Sequence, residues 1–235
     1  MRSASIGLLV AAVGAVVAPG SAYAASVGGL TARTLAAFSQ PVTVAAPTVV
    51  GCDNFTGTTG ASLSGRAAAN AAACSGRTWT VHAGTWTIQA NQAASNATAS
   101  AAATLDTSFV DGSAEVTLAG LNTGGRSGGL VASHDGATTY LAAVMVDGTP
   151  DRVELRLVTS GVSTLLTTVN PTFATTNTLR LTRAGSTITV TLNSTLVLTH
   201  TLSAGQSGAL GTGSRSGLFG GNASVRFDNF VATVP

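Results

Sequence analysis

Apolar and polar residues alternate along several short segments of the chain, and this alternation limits the possible folds more than any other feature. Residues 153–157 read Val-Glu-Leu-Arg-Leu, and residues 187–192 read Thr-Ile-Thr-Val-Thr-Leu. Successive side chains of a strand point to opposite faces of a sheet, so a two-residue period is typical of strands with one buried face. The pattern therefore predicts strands that place aliphatic residues in a core and polar residues on the outside.

Short strand-like segments continue from residue 49 to the end of the chain, and the pattern predicts about twelve to fourteen strands. No helical pattern separates them, which argues against parallel βαβ units. The alanine-rich segment 66–73 lies among glycine and serine residues, and we interpret it as a loop. Many short strands separated by glycine-rich turns favour a sandwich or a barrel, and 235 residues fit one such domain.

The first 24 residues have the pattern of an export signal. A single arginine precedes an apolar run at residues 6–18, and an Ala-Tyr-Ala sequence ends at Ala24. The run is too short to span a bilayer comfortably. We predict a signal peptide over residues 1–24, with a retained helix or anchor as the alternative. Residues 25–48 are then a lead-in, either a linker or an added edge strand, and residues 49–235 form the β domain.

The charge distribution limits the partners of the chain. All 11 basic residues are arginine, the formal net charge is +2, and only 9% of the residues are charged. No block of like charge is present, so binding to nucleic acid is not expected. No other apolar stretch is long enough to cross a membrane, so we predict a secreted, extracellular protein without membrane insertion after signal cleavage. The absence of lysine indicates a high-GC genome, such as that of an actinobacterium or its phages.

The chain contains two cysteines, Cys52 and Cys74. An even number of cysteines in an exported chain favours a disulfide, and two free thiols are the alternative. No histidine pair lies near the two cysteines, so they do not form a zinc site.

An ordered set of short motifs carries a family resemblance. Asp53-Asn54-Phe55 opens the β region, and Asp228-Asn229-Phe230 recurs in the last strand. Between them, residues 76–88 hold both tryptophans, and a Gly-Leu-Val strand at residues 129–131 follows. This order resembles the concanavalin A-like, laminin-G-like domains of secreted bacterial proteins and of phage tail proteins, over about residues 50–234. The resemblance implies an all-β, two-sheet antiparallel jelly-roll sandwich.

The resemblance also implies candidate ligand residues. Related sandwiches often bind structural calcium with an aspartate of the closing strand, which points to Asp228, and Asp53 joins it if the first and last strands pair. Trp79, Trp86 and Tyr140 offer aromatic faces on which a sugar ring can stack. The family pattern also places at least one tryptophan in the core, and both interpretations remain open at this stage.

The sequence does not match the catalytic pattern of glucanases with this fold. Glucanases of this fold use two closely spaced glutamates, whereas this chain has only Glu115 and Glu154, which we interpret as solvated strand residues. The leading hypothesis is therefore an exported, non-catalytic module that binds a polysaccharide or another cell-surface partner. The alternatives are a structural subunit of a surface layer, fibre or phage tail, and a carbohydrate-active hydrolase of unrecognised mechanism that would use His134 or Asp135.

Overall fold

The computed structural model of the chain describes residues 46–69, 74, 76–96, 100–122 and 124–235. The signal peptide and nearly all of the lead-in lie outside these residues, and both stay predictions. Within the described part of the chain, no helix is long and apolar enough to cross a membrane.

The described residues form fifteen strands and a short helix. In chain order these are β1 (Thr48–Asp53), β2 (Thr80–Ala83), β3 (Trp86–Gln89), β4 (Gln92–Ser95), β5 (Ala101–Asp106), β6 (Gly112–Ala119), β7 (Ser127–His134), β8 (Tyr140–Val146), β9 (Arg152–Thr159), β10 (Val162–Val169), β11 (Thr176–Ala184), β12 (Thr187–Leu192), β13 (Thr195–Thr201), α1 (Ala204–Leu210), β14 (Arg215–Gly220) and β15 (Arg226–Val234).

The strands form two antiparallel sheets. Sheet I has the order β13-β12-β11-β6-β15-β4-β3, with β1 also paired to β15, and sheet II has the order β10-β9-β8-β7-β14-β5-β2. Every strand pairing in the two sheets is antiparallel. The prediction of an all-β, two-sheet antiparallel jelly-roll sandwich is confirmed.

The alternating segments fold as their period predicts. In β9, Val153 and Leu155 are fully buried in the core between the sheets. In β12, Ile188 and Val190 enter the same core, while the intervening threonines lie at the surface side of sheet I. The aliphatic faces of both sheets thus meet in one continuous core.

The two ends of the β domain pair with each other. Thr48 of β1 lies opposite Val234 of β15, and Asp53 lies opposite Phe230. The first and last strands therefore pair, as the interpretation of Asp53 requires. The predicted disulfide is also present, and it joins Cys52 in β1 to Cys74, 22 residues later, with a Cα–Cα distance of 5.2 Å.

Helix α1 was not predicted. Ser203 begins it through a capping box, in which its side chain accepts from the backbone N–H of Gln206 while the Gln206 side chain accepts from the backbone N–H of Ser203. Leu210 anchors the end of the helix in the core. The helix connects β13 at the edge of sheet I to β14 near the middle of sheet II.

Candidate functional site

The outer face of sheet II, which points away from sheet I, carries apolar side chains of its own. Val131, Ala142, Val144 and Phe219 form a buried cluster that is separate from the main core, and Tyr140 and Val146 pack against it. We call these six residues the outer apolar cluster. Strands β7, β8 and β14 are neighbours in sheet II, so the cluster extends across the middle of the sheet.

Gly129 lies at the centre of this face and leaves a depression there. It lies in register between Val144 of β8 and Phe219 of β14. A Cβ atom on Gly129 would lie 1.9 Å from the carbonyl oxygen of Ala143, so no other residue fits at this position. The backbone of β7 is therefore bare between the two apolar side chains, which leaves a depression in the sheet surface.

A charged group borders the depression on β9. Glu154 has a side chain only 8% exposed, and it lies between Arg152 and Arg156, whose side chains are 41% and 37% exposed. Arg152 donates from Nε to Glu154 Oε1 at 3.2 Å. Arg156 donates to Oε2 from Nε at 2.8 Å and also from Nη2. The two guanidinium groups hold the carboxylate in place and leave this strand with one excess positive charge.

Three members of the cluster, Val144, Val146 and Phe219, and the charged group line an open recess of about 330 Å³. Its lining includes Ser127, Val146, Arg152, Glu154, Arg156 and Phe219. The donors of Arg152 and Arg156 thus border an apolar floor formed by Val146 and Phe219. Small-molecule sites usually have this composition. We take this recess as the candidate functional site.

Three aromatic rings lie in a row on the same face, at the end of β7 and β8 opposite to the recess residues Ser127 and Val146. His82 stacks on His134 with ring centroids 4.1 Å apart, and His134 stacks on Tyr140 with centroids 5.0 Å apart and planes 4° from parallel. His82 Nε2 shares a hydrogen bond of 2.8 Å with Thr104 Oγ1, and His134 Nδ1 accepts from the backbone N–H of Gly136. The row thus stacks against Tyr140, a member of the outer apolar cluster.

The two stacked imidazoles favour their neutral forms. Burial lowers the pKa of His134, the neighbouring His82 and Arg215 add to this effect and Asp135 opposes it, and the resulting pKa is about 4. Burial also lowers the pKa of His82, and the Arg215 guanidinium adds to that effect. Burial raises the pKa of the Tyr140 phenol. At neutral pH the three rings of this row are therefore uncharged.

Of the three aromatic residues predicted to contact sugar, Tyr140 lies on this face and both tryptophans lie in the core. Tyr140 is half-buried on the outer face of sheet II, and its role as a ligand contact stays a prediction. Trp79 and Trp86 are each only 1% exposed. Trp79 packs against Phe230 at 5.2 Å and Trp86 against Phe227 at 5.4 Å, measured between ring centroids. The sugar-stacking prediction for both tryptophans is wrong because core packing covers their rings.

The two residues predicted to bind calcium have different surroundings, and calcium binding stays a prediction. Asp53 is fully buried, and its carboxylate accepts from Trp79 Nε1 at 2.8 Å, from the backbone N–H of Phe55 at 2.8 Å, and from Nε and Nη2 of Arg66. Protein donors therefore occupy both of its oxygens. Asp228 accepts from the backbone N–H of Asn229 at 2.7 Å. In the described ranges, no three His, Cys, Asp or Glu side chains form a group that could hold a metal ion.

The charged group on β9 was misread from the sequence. Alternation correctly placed Arg152, Glu154 and Arg156 on the outer face, but Glu154 was interpreted as solvated and is buried. Three charged residues at positions i, i+2 and i+4 of one strand were the available signal, since such residues share one face. No sequence signal pointed to Phe219, because its partners on the outer face come from β7 and β8.

Comparisons with known proteins agree with the fold. The chain is similar to the carbohydrate binding module CBM66 from Bacillus subtilis, with a TM-score of 0.57 and 19% identity over 66% of this chain and 95% of that chain. It is also similar to a Bacillus subtilis protein of unknown function with a galectin-like fold, with a TM-score of 0.51 and 12% identity over 66% of this chain and 88% of that chain. At these identities the likeness shows the jelly-roll fold alone.

A looser likeness is found to a beta-glucanase of Bacillus licheniformis, with a TM-score of 0.46 and 13% identity over 78% of this chain and 97% of that chain. No family model matches the sequence, and no curated protein matches it.

Proposed function

We propose that this chain is a non-catalytic module that binds a glycan in the recess on the outer face of sheet II. The observation that carries the proposal is the recess itself, in which a floor containing Phe219 and Val146 meets the donors of Arg152 and Arg156. A sugar ring has apolar C–H faces and a rim of hydroxyl groups. An apolar floor with a polar border is complementary to both parts of such a ligand.

The fold supports the proposal without selecting a ligand. The carbohydrate binding module of Bacillus subtilis shares the architecture, and one fold can serve several functions. The predicted signal peptide and the Cys52–Cys74 disulfide support an extracellular setting, in which cell-surface glycans and polysaccharides are available ligands.

The placement of the two glutamates supports a binding role over catalysis. Glu154 belongs to β9 of sheet II, whereas Glu115 belongs to β6 of sheet I and lies 3.9 Å from Arg180 in an ion pair. Both alternate with core residues, so they lie on outer faces of different sheets. Glycosidases need two carboxyl groups within about 10 Å on either side of the scissile bond. These two glutamates do not supply such a pair.

A binding screen tests the proposal. The purified chain is applied to a glycan array that includes cell-wall polysaccharides, and positive ligands are measured by calorimetry with Phe219→Ala and with Phe109→Ala. Phe109 is 49% exposed outside the recess, so it controls for the loss of a phenyl ring. We expect Phe219→Ala to weaken binding and Phe109→Ala to leave it unchanged.

A second recess variant keeps the test decisive if Phe219→Ala unfolds. Ser100 is exposed and lines the recess, so Ser100→Trp fills the space without removing core contacts. We expect this variant to melt like the parent and to lose the ligand. Failure of the array to show any saccharide, or equal binding by parent and Ser100→Trp, contradicts the proposal.

A second candidate function, a self-associating structural subunit, is favoured by the edge strands. Strands β10 and β13 are the outermost strands of the two sheets and contact each other. Residues 157–179 and 184–214 contain no Asp, Glu, Lys or Arg. Val162, Leu165 and Leu196 on these edges are 69%, 51% and 58% exposed. Charged side chains are a common device that prevents edge-to-edge pairing, and these edges lack it.

Light scattering coupled to size-exclusion chromatography tests this second candidate. If β10 pairs with β10 of a second copy, the parent elutes as a dimer or larger species, and Leu165→Lys shifts it to monomer because the lysine charges the shared edge. A parent that is monomeric across a wide concentration range argues against the structural role and leaves the glycan-binding proposal intact.

A further inference from the structure

The two arginines beside Glu154 carry more donors than that carboxylate uses. A buried carboxylate is costly unless it is paired and hydrogen-bonded. Arg156 alone supplies two donors to Glu154 Oε2. Arg152 adds a single bond from Nε to Oε1, although its side chain is 41% exposed. A second arginine that is only partly used for pairing indicates a further partner.

The unused donors belong to Arg152. Among the described residues, the hydrogen bonds of its side chain are limited to the Nε bond with Glu154, so both Nη groups are available to a ligand. Arg156 donates a long hydrogen bond from Nη1 to Ser163 Oγ at 3.4 Å. The paired Nη groups of an arginine match the two oxygens of a carboxylate better than they match a single hydroxyl.

The charge of the recess favours the same ligand. Its charged lining residues are Arg152, Glu154 and Arg156, which sum to one positive charge. The carboxylate of Glu154 is already held by both arginines, so it does not repel a second anion as strongly as a free glutamate would. The floor formed by Phe219 and Val146 still accepts the apolar face of a sugar ring.

We infer that the recess selects an acidic saccharide, with the carboxylate of a uronic acid residue held by the Nη groups of Arg152 and the sugar ring seated over Phe219. This inference rests on the proposed glycan-binding function of the recess, and it adds the chemical class of the ligand. Glu154 is then a positioning residue, because it holds the two guanidinium groups and does not itself contact the acid.

The test compares each acidic saccharide with its own neutral form. Oligogalacturonate, alginate oligosaccharides and glucuronate-containing oligosaccharides are titrated into the full chain beside their carboxyl-reduced counterparts, which keep the sugar skeleton and lose the charge. We expect at least one acid to bind roughly ten- to a hundredfold more tightly than its reduced form, since hydrogen bonds to charged groups have that effect. The binding should weaken as salt is added.

The matched variants are Arg152→Gln and Arg180→Gln. Arg180 is 40% exposed and lies beside Glu115 on the outer face of sheet I, so it is a comparable arginine far from the recess lining. Arg152→Gln should remove the preference for the acid, and Arg180→Gln should keep it. Arg156 still pairs with Glu154 in Arg152→Gln, so its thermal midpoint should stay close to that of the parent.

The outcomes separate the two proposals. Equal affinity for acid and reduced forms, or a preference for the acid that survives in Arg152→Gln, overturns the inference while the glycan-binding function stands. Binding of neutral saccharides alone also overturns the inference and leaves the glycan-binding function in place. Failure to bind any acidic or neutral saccharide overturns both the inference and the proposed function.

Discussion

His82 stacks on His134 on the outer face of sheet II, with ring centroids 4.1 Å apart and ring planes 25° from parallel. His134 is almost completely buried, and Arg215 lies close enough to oppose a positive charge on either ring. Protonation would place two cations against each other in a poorly solvated position. The folded state therefore requires neutral imidazoles, and its stability depends on pH.

The first prediction is a loss of stability in mild acid. The pKa of His134 is about 4 in the folded chain and about 6.5 when unfolded, so the unfolded state binds the proton first as the pH falls. The free energy of unfolding should decrease between about pH 6.5 and about pH 4, by as much as about 3 kcal/mol from this residue. Urea unfolding at a series of pH values measures it. His134→Gln should show a shallower decrease, and parallel curves for variant and parent would contradict the argument.

The second prediction concerns the buried carboxylate of Asp53. Asp53→Ala leaves the Arg66 guanidinium and the indole N–H of Trp79 without their acceptor, and we expect a loss of about 3 kcal/mol. Asp228→Ala removes one hydrogen bond to a backbone N–H at a more exposed position and should cost about 1 kcal/mol or less. Chemical denaturation of both variants checks the difference, and equal losses would show that the Asp53 network is not the stabilising element.

The third prediction is that calcium does not stabilise the domain. A ligand that binds only the folded state raises the unfolding midpoint, and Asp53 has no free carboxylate oxygen for a cation. Thermal unfolding in excess calcium chloride and in excess chelator should therefore give the same midpoint. A clear rise with calcium that is abolished in Asp228→Ala would restore the calcium site that the family resemblance implies.

The fourth prediction uses Gly129 and Gly208 as a matched pair. A Cβ atom at Gly129 collides with backbone atoms of Ala143 and Val144, so Gly129→Ala should destabilise the fold by about 3 kcal/mol or more. Gly208 lies within α1 with open space around it, and Gly208→Ala should stabilise the helix by about 0.5–1 kcal/mol. Equilibrium unfolding measures both, and equal effects would contradict the close approach of β7 and β8.

The sequence predicts the sandwich well because its strands follow a simple period. The alternation in β9 and β12 identifies the buried face correctly, and the pairing of β1 with β15, which the interpretation of Asp53 requires, is present. Helix α1 was overlooked because seven residues that include two glycines give no helical period. Its capping box, Ser203 with Gln206 three residues later, was a visible signal that could have located its start.

The candidate site is harder to predict because it depends on which strands become neighbours. Residues 140–146 are apolar throughout, so the sequence shows neither the face on which Tyr140 lies nor that Val131 and Phe219 gather beside it from β7 and β14. The same limit explains the error at Trp79 and Trp86. Each lies in or beside a short strand, and the partner that covers its ring, Phe230 or Phe227, is more than a hundred residues away in the chain.

The most direct test of the account is the position of a bound saccharide on the domain, read from amide chemical shifts in an NMR titration with a ligand from the binding screen. The account predicts the largest shifts at Val144, Glu154 and Phe219, which surround the recess, and no change at Thr182 and Thr191 on sheet I. Shifts concentrated on sheet I, or at the edge strands β10 and β13 with the recess unaffected, would contradict it.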